Sequence, residues 1–208
     1  MITQQDIFNF SKKANPAIVA GFVDTVNANA EKFGLTTPGR MAKFLANVMV
    51  ETDGLKTFQE YASGAAYEGR KDLGNIYKGD GKKFKGRGAL QTTGRYNYGQ
   101  LSEIVYGDKN VLLNNPTILL DPVRGTEAAL IYWHKKNLNY HADNSPFSKV
   151  VRIINGGLNH LSQRTNWLNK IYEVLKKKTV IQAPATPSIA GIVLILGLVL
   201  YLAYKIKK

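Results

Sequence analysis

Residues 37–54 read TPGRMAKFLANVMVETDG, and this stretch decides the fold. Thr37 followed by Pro38 favours a helix start, because threonine caps the first free amides and proline suits the first turn. Gly54 is a stop signal, since glycine readily adopts the left-handed conformation that ends many helices. Between these signals, apolar residues recur at helical spacing. They form one face made of Met41, Phe44, Leu45, Val48 and Met49.

The same start signal recurs along the chain and extends the helical prediction. Apolar residues at helical period form further faces, such as Ile18, Phe22 and Val26. No comparable run alternates with the period of a strand. The sequence therefore predicts a mainly α protein. The other pairs of a capping residue and proline are Asn15-Pro16, Asp121-Pro122 and Ser145-Pro146.

The chain changes in character after residue 178. Residues 179–188 are uncharged and contain two prolines, which indicates a short stiff linker. Residues 189–204 are all apolar, glycine or tyrosine, and residues 205–208 form a basic tail. As a helix, the apolar run would span about 24 Å, slightly less than a bilayer core. A buried core helix is the alternative, but a run without a polar face beyond a proline linker favours a transmembrane helix.

The composition gives a formal net charge of +13, from 28 Lys and Arg against 15 Asp and Glu. Such a charge attracts polyanions, which include nucleic acid, anionic lipid and bacterial wall polymer, although it also serves solubility. The chain has no cysteine, which excludes disulfides and thiolate metal sites. Its three histidines lack metal-ligand spacing, so we expect no metal and no cofactor. The first ten residues, MITQQDIFNF, lack the pattern of a cleavable signal peptide.

Two glutamates are candidates for acid–base chemistry. Glu51 follows three apolar residues at the end of the helix predicted to start at Thr37-Pro38, where a carboxylate can be partly removed from water. Such a position suits a general acid, although an ordinary solvated glutamate fits it too. Glu68 lies in residues 61–99, an irregular segment in which we expect the active cleft. A glycosidase needs two carboxylates, and spacing does not choose between Glu68 and Glu60, Asp72 or Asp80.

Residues 85–99 read KGRGALQTTGRYNYG and combine glycines with amides, hydroxyls and tyrosines. Glycines allow close backbone approach, amides and hydroxyls bind sugar substituents, and tyrosines stack on sugar faces. The run contains neither the phosphate-binding GxxxxGK[ST] pattern nor the dinucleotide-binding spacing. Its interleaved basic and aromatic residues leave nucleic-acid binding open.

Four segments in this order resemble glycoside hydrolase family 19, which contains chitinases and many bacteriophage endolysins. They are FLANVMVETDG (44–54), YASGAAYEGRKDLGN (61–75), GDGKKFKGRGALQTTGRYNYG (79–99) and IINGGLNHLSQR (153–164). The resemblance implies a lysozyme-like helical catalytic domain with a cleft, over residues 1–178. It also implies that the substrate is a polymer of N-acetylated aminosugars, either peptidoglycan or chitin, and nucleic acid is then not expected as a partner.

The resemblance further implies roles for individual residues. Glu51 corresponds to the general acid and Glu68 to the second carboxylate, which positions and deprotonates the attacking water. Thr93 corresponds to a residue that helps hold that water. Val50 is a departure, because the family usually has histidine before the acid. Gln91, Tyr96 and Asn97 correspond to positions that contact sugar in the family. Asn155 and Arg164 correspond to residues that line the cleft and hold the second carboxylate in place.

These features predict a peptidoglycan-cleaving glycosidase of phage origin with an inverting mechanism. We expect a single-pass protein of a virion internal membrane or of the host bacterial inner membrane. Its expected partners are wall polymer, the lipid bilayer through residues 189–204, and other virion membrane or capsid proteins. Peptidoglycan is favoured because such an anchor would lie beside a bacterial wall, and because plant chitinases of the family carry disulfides. A chitinase, a lytic transglycosylase and an inactive wall-binding virion membrane protein are the alternatives.

Overall fold

The computed structural model describes the backbone of residues 1–182 and the side chains of residues 1–178. Within these residues, ten α-helices are joined by turns and three short 3-10 helices, so the predicted mainly α class is confirmed. The α-helices are α1 (Gln4–Phe10), α2 (Pro16–Asn29), α3 (Pro38–Glu51), α4 (Asp80–Lys83), α5 (Arg95–Tyr106), α6 (Asn110–Asn114), α7 (Pro122–Lys135), α8 (Leu138–Asn144), α9 (Phe147–Asn155) and α10 (Leu161–Gln182). The 3-10 helices are Ala65–Tyr67, Lys71–Leu73 and Pro116–Leu120.

Three of the four predicted helix starts are confirmed. Helices α2, α3 and α7 each begin at the proline, and the preceding side chain accepts a backbone N–H of the first turn. The fourth start is displaced by one residue. Helix α9 begins at Phe147, and Pro146 is the cap residue before it. Ser145 is extended as well, as expected for a residue before proline.

The apolar face of α3 lies in the larger of two hydrophobic cores, between α2 and α7. The ring of Phe44 stacks on Phe22 with 6.3 Å between centroids and meets Trp133 edge-on at 5.4 Å. All three side chains are fully buried. Aromatic pairs of this kind add about 0.5–1.5 kcal/mol beyond the burial of their area. This packing fixes the orientation of α3 and therefore the place at which Glu51, its last residue, leaves the core.

A second, smaller core joins α5 and α6 to the opposite side of α7. Tyr98, Leu101 and Leu112 are buried in it together with Phe84, Leu119 and Ala128. Helix α7 belongs to both cores, because Ala128 packs in the smaller one while Ala129 and Trp133 pack in the larger one. Residues from both cores line the cleft described below, so α7 connects its two walls.

The predicted single-pass membrane localisation requires correction. Among residues 1–182, no helix is both long enough and apolar enough to cross a bilayer. The predicted span itself, residues 189–204, and the basic tail, residues 205–208, lie outside the described residues. The bilayer and the virion proteins, which were expected as partners because of that span, find no support in the described structure.

The helix expected to end at residue 178 is longer than predicted. Helix α10 continues to Gln182, into the stretch interpreted as a linker, and the rest of that linker lies outside the described residues. The chain divides into two units, Met1–Lys176 and Lys177–Lys208. Both cores and the cleft belong to the first unit.

Candidate active site

A cleft of about 700 Å³ opens on the helical domain. It is lined by the end of α3, by the segment 87–93 before α5, by parts of α5 and α7, and by residues around the end of α9. Sites for small ligands typically measure about 300–1,000 Å³, so the cleft has room for part of a sugar polymer. Its walls are more polar than apolar, with amides, hydroxyls and charged side chains beside the apolar residues.

Glu51 lies on this cleft, and its carboxylate is held by Arg164 of α10. Arg164 Nη2 donates to Glu51 Oε1 at 2.6 Å, while Arg164 Nη1 donates to Asn47 Oδ1 at 2.8 Å. The side chain of Arg164 is 2 % exposed and that of Glu51 is 16 % exposed. Asn47 lies one helical turn before Glu51 and is fully buried. Glu51 Oε1 is therefore fixed by the protein, whereas Oε2 accepts no hydrogen bond from the described residues.

Gln91, Thr93 and Asn97, three residues predicted to contact sugar or water, line the same cleft as Glu51. Gln91 has a φ of +39°, which is unusual for a residue other than glycine, and such backbone strain concentrates at functional sites. Its Nε2 donates to the carbonyl of Gly88 at 3.0 Å. Asn97 Nδ2 donates to the carbonyl of Thr93 at 2.8 Å. Local hydrogen bonds thus preform a polar wall at the start of α5.

Asn155 and Tyr96, also predicted to contact substrate, differ in position. Asn155 lines the cleft at the end of α9, and its buried Nδ2 has no hydrogen-bond partner in the described part of the chain. A buried unpaired donor costs about 1–3 kcal/mol, which an acceptor oxygen of a bound ligand would offset. Tyr96 is 58 % exposed and lines a neighbouring groove instead of the cleft.

Glu68, predicted as the second carboxylate, is not among the residues that line the cleft. Its Oε1 accepts from the backbone N–H of Gly79 at 2.6 Å and its Oε2 from that of Gly81 at 2.9 Å. These two amides hold the pKa of Glu68 below its usual range. The geometry gives Glu68 the role of closing the loop 68–81. Arg164, expected to hold this carboxylate, holds Glu51 instead.

A different carboxylate, Glu60, lies close to the polar wall, although it too is not among the residues that line the cleft. The backbone N–H of Glu60 donates to the carbonyl of Gly86, and the N–H of Gly86 donates back to Glu60 Oε2, both at 2.9 Å. The hydroxyl of Tyr67 donates to Glu60 Oε1 at 2.7 Å, and this hydrogen bond, together with burial, raises the pKa of Tyr67 to about 12. Glu60 is half-buried at this place.

Gly86 shows how close Glu60 comes to the cleft. A Cβ added to Gly86 would lie 2.5 Å from Gln91 Oε1 and 3.3 Å from Glu60 Oε2, so both oxygens approach the same point. Since Gln91 lines the cleft beside Glu51, Glu60 lies next to the cleft wall. The missing side chain at residue 86 allows this approach.

The two aspartates that remained as alternatives are both engaged in ion pairs. Arg95 donates to Asp80 through Nε at 2.8 Å and Nη2 at 2.7 Å, which lowers the pKa of Asp80. Asp72 lies at the edge of the cleft and is bound by Arg70, its neighbour in sequence. Among the side chains that the structure describes, no cluster of His, Cys, Asp and Glu could hold a metal ion.

The helical arrangement matches that of solved chitinase structures. Chitinase C from Streptomyces griseus superposes with a TM-score of 0.67 and 23% identity, over 84% of this chain and 76% of that one. A bacterial family 19 chitinase gives a TM-score of 0.66 and 21% identity, over 84% and 94%. This chain has the fold of the family 19 chitinases. The lysozyme-like fold expected from the resemblance is thereby confirmed.

More distant and sequence-based comparisons agree with this fold. A class IV family 19 chitinase from Zea mays gives a TM-score of 0.60 and 22% identity, over 83% of this chain and 90% of that one. A glycosyl hydrolase family 19 domain-containing protein of Haemophilus influenzae is 27% identical over 206 residues, which cover 84% of this chain and 96% of that protein. No family model matches the chain. Both kinds of comparison support a chitinase-like glycosidase fold.

Proposed function

We propose that this chain is a glycosidase that hydrolyses β-1,4 bonds between N-acetylated aminosugars, and that its substrate is peptidoglycan. The observation that carries the proposal is the pairing of Glu51 with Arg164 on the wall of the cleft. One oxygen of a partly buried carboxylate is fixed there, and the other has no partner among the described residues. A general acid has to bring a protonated oxygen within hydrogen-bond reach of the glycosidic oxygen, and Oε2 of Glu51 is the oxygen that Arg164 does not engage.

The proposed mechanism is an inverting displacement with two carboxylates. Glu51 donates its proton to the glycosidic oxygen as the bond to the anomeric carbon breaks. Glu60 takes a proton from water as that water attacks the opposite face of the sugar, and Thr93 helps to hold the water. Inverting enzymes separate the two carboxyl groups by about 6.5–9.5 Å, which leaves room for the water. The position of Glu60 beside Gln91 supports assigning it the role first predicted for Glu68.

The choice of peptidoglycan is supported by charge and by motif. A net charge of +13 favours adhesion to an anionic bacterial wall polymer. The motifs of residues 79–99 resemble those of phage endolysins as well as chitinases, and a phage origin is part of the same proposal. Chitinase activity is the second candidate, because the matched structures named above are chitinases.

The experiment that tests this function compares two substrates and examines the products. Purified protein should release reducing ends from peptidoglycan faster than from colloidal chitin, and the reverse order would favour the chitinase. Products with anhydro ends in mass spectrometry would identify a lytic transglycosylase. Binding to wall polymer without new reducing ends would identify an inactive wall-binding protein. An α-anomeric first product, observed by NMR, is expected for inversion of a β bond.

A further inference from the structure

A second groove, of about 640 Å³, opens beside the cleft along α5 and α6. The two cavities share Gln100 and Ile104, which line both of them. Gln100 Nε2 donates to the hydroxyl of Tyr96 at 2.7 Å, and Tyr96 lines only the second groove. The second groove therefore adjoins the cleft along α5, at Gln100 and Ile104.

The lining of this groove combines apolar surface with two exposed charges of opposite sign. Ile104 and Leu113 supply apolar contacts, and Leu113 lies next to Gly99 of α5. Lys109 and Glu103 are exposed, and neither has an ion-pair partner among the described residues. A third charged residue of the lining, Arg95, is neutralised by Asp80. The groove thus offers one free cation and one free anion, among the residues described, beside an apolar surface.

We propose that this groove binds the peptide that branches from the glycan of peptidoglycan. The inference rests on the proposed function, because it requires a glycan in the cleft. A branch leaving that glycan can enter the groove past Gln100 and Ile104. Short wall peptides carry alanine methyl groups, a carboxylate and in many cases an ammonium group, which match Leu113, Lys109 and Glu103. Chitin has no such branch, so the groove would favour peptidoglycan over chitin.

The enzymatic test measures KM and kcat on intact peptidoglycan and on the same glycan after an amidase has removed its peptides. Lys109→Glu replaces the attraction of an exposed ion pair by repulsion of the carboxylate of the peptide. KM on intact peptidoglycan should therefore rise about 3- to 10-fold. On the peptide-free glycan its KM should stay within about twofold of wild type. Lys149→Glu, at an exposed position of α9, is the matched control for reversal of a positive charge. Equal effects of Lys109→Glu on both substrates would overturn the inference, as would no effect on either.

A binding test separates this inference from the proposed function. Amide NMR spectra of Glu51→Gln protein are recorded with a disaccharide-tetrapeptide from peptidoglycan and with the same disaccharide without peptide. Only the peptide-bearing ligand should shift Gly99, Lys109 and Leu113, while both should shift residues of the cleft. Shifts in the cleft alone would refute the peptide groove and leave the glycosidase proposal standing. Shifts in the groove with a wild-type enzyme that releases no reducing ends would refute the glycosidase and keep the groove.

Discussion

Arg164 of α10 donates to the carboxylate of Glu51, which ends α3, and the two residues are 113 positions apart in the sequence. The same guanidinium holds Asn47 on the preceding turn of α3. The proposed acid is therefore oriented by the last helix of the domain and not by its own segment. Several expected outcomes depend on this connection and on the neighbouring Glu60.

Replacing Glu51 by Gln removes the proposed proton donor while keeping an oxygen that can accept from Arg164. General acid catalysis contributes about 10²–10⁴-fold to the rate, so the release of reducing ends should fall by a factor in that range. Circular dichroism and the thermal midpoint should stay near those of wild type. A variant as active as wild type would remove Glu51 from the mechanism.

Replacing Arg164 by Leu should damage stability as well as activity. The change leaves the buried Asn47 and the partly buried Glu51 without their partner, and breaking a buried pair costs about 3–5 kcal/mol. Urea titration should show a loss of this size in the free energy of unfolding. Arg124→Leu is the matched control, because Arg124 pairs with Glu127 and its side chain is 60 % exposed. A loss no larger than that of the control would show that the Arg164–Glu51 pair adds little.

The catalytic roles of Glu60 and Glu68 can be distinguished by making the same isosteric substitution at each position. Glu60→Gln should lower kcat about 100-fold or more, because an amide cannot take a proton from water. Glu68→Gln should lower it only a few-fold, because the carboxylate of Glu68 accepts from the backbone of Gly79 and Gly81 and is not among the groups that line the cleft. The measurement is kcat on peptidoglycan for each purified variant. A large loss at Glu68 with a small loss at Glu60 would restore the original assignment.

Thr93 is predicted to hold the attacking water through its hydroxyl. Thr93→Val keeps the shape of the side chain and removes the hydroxyl, so kcat should fall about 10-fold, the size of one hydrogen bond. Thr93→Ser restores the hydroxyl and should recover most of the rate. The two variants should share a KM close to that of wild type. If Val and Ser behave alike, the hydroxyl is not what matters at this position.

The ion pair between Asp80 and Arg95 should make the free energy of unfolding depend on pH in the acid range. The hydrogen bond from Arg95 lowers the pKa of Asp80 in the folded protein from its ordinary value of 3.8. Its contribution is therefore complete above the unfolded-state pKa and is lost as the pH falls through the folded-state pKa. Asp80→Asn should show a smaller loss of unfolding free energy than wild type between about pH 5 and about pH 2.5. Asp24→Asn, at an exposed position of α2, is the matched control for loss of a surface carboxylate. An equal fall of the unfolding free energy with pH in wild type and in Asp80→Asn would contradict the role given to the ion pair.

The helices could be predicted because their signals are local. Thr37, Asn15 and Asp121 cap helices with their own side chains, and each is followed by the proline that opens the helix. Ser145 gave the same pattern, yet its side chain accepts no backbone N–H of α9, and the helix starts one residue later than the others. Local chemistry therefore predicts where a helix begins to within a residue.

Glu60, the second carboxylate of the proposed mechanism, could not be singled out by the same means. Its carboxylate comes close to Gln91 because Gln59 forms an isolated bridge with Arg87 and because the N–H of Gly88 donates to the carbonyl of Phe58 at 2.8 Å. These contacts join segments almost thirty residues apart, and the extended piece is too short to show a strand period. In the sequence, Glu60 is one of four carboxylates between which spacing does not choose. Glu68 is assigned the role of second carboxylate from the resemblance to glycoside hydrolase family 19, and in the structure its carboxylate accepts from Gly79 and Gly81 of its own loop.

The closure of residues 68–81 by Glu68 has a practical consequence for protein engineering. The bonds from Gly79 and Gly81 to Glu68 begin and end within the loop. A side chain at residue 81 would collide with the backbone of Glu68, because an added Cβ lies 2.6 Å from its nitrogen. The loop is thus closed by its own hydrogen bonds, and it is also joined to α5 through the ion pair between Asp80 and Arg95. Exchanging it for the matching loop of a relative, with its glutamate and glycine kept together, is a direct way to graft new substrate preferences onto this scaffold.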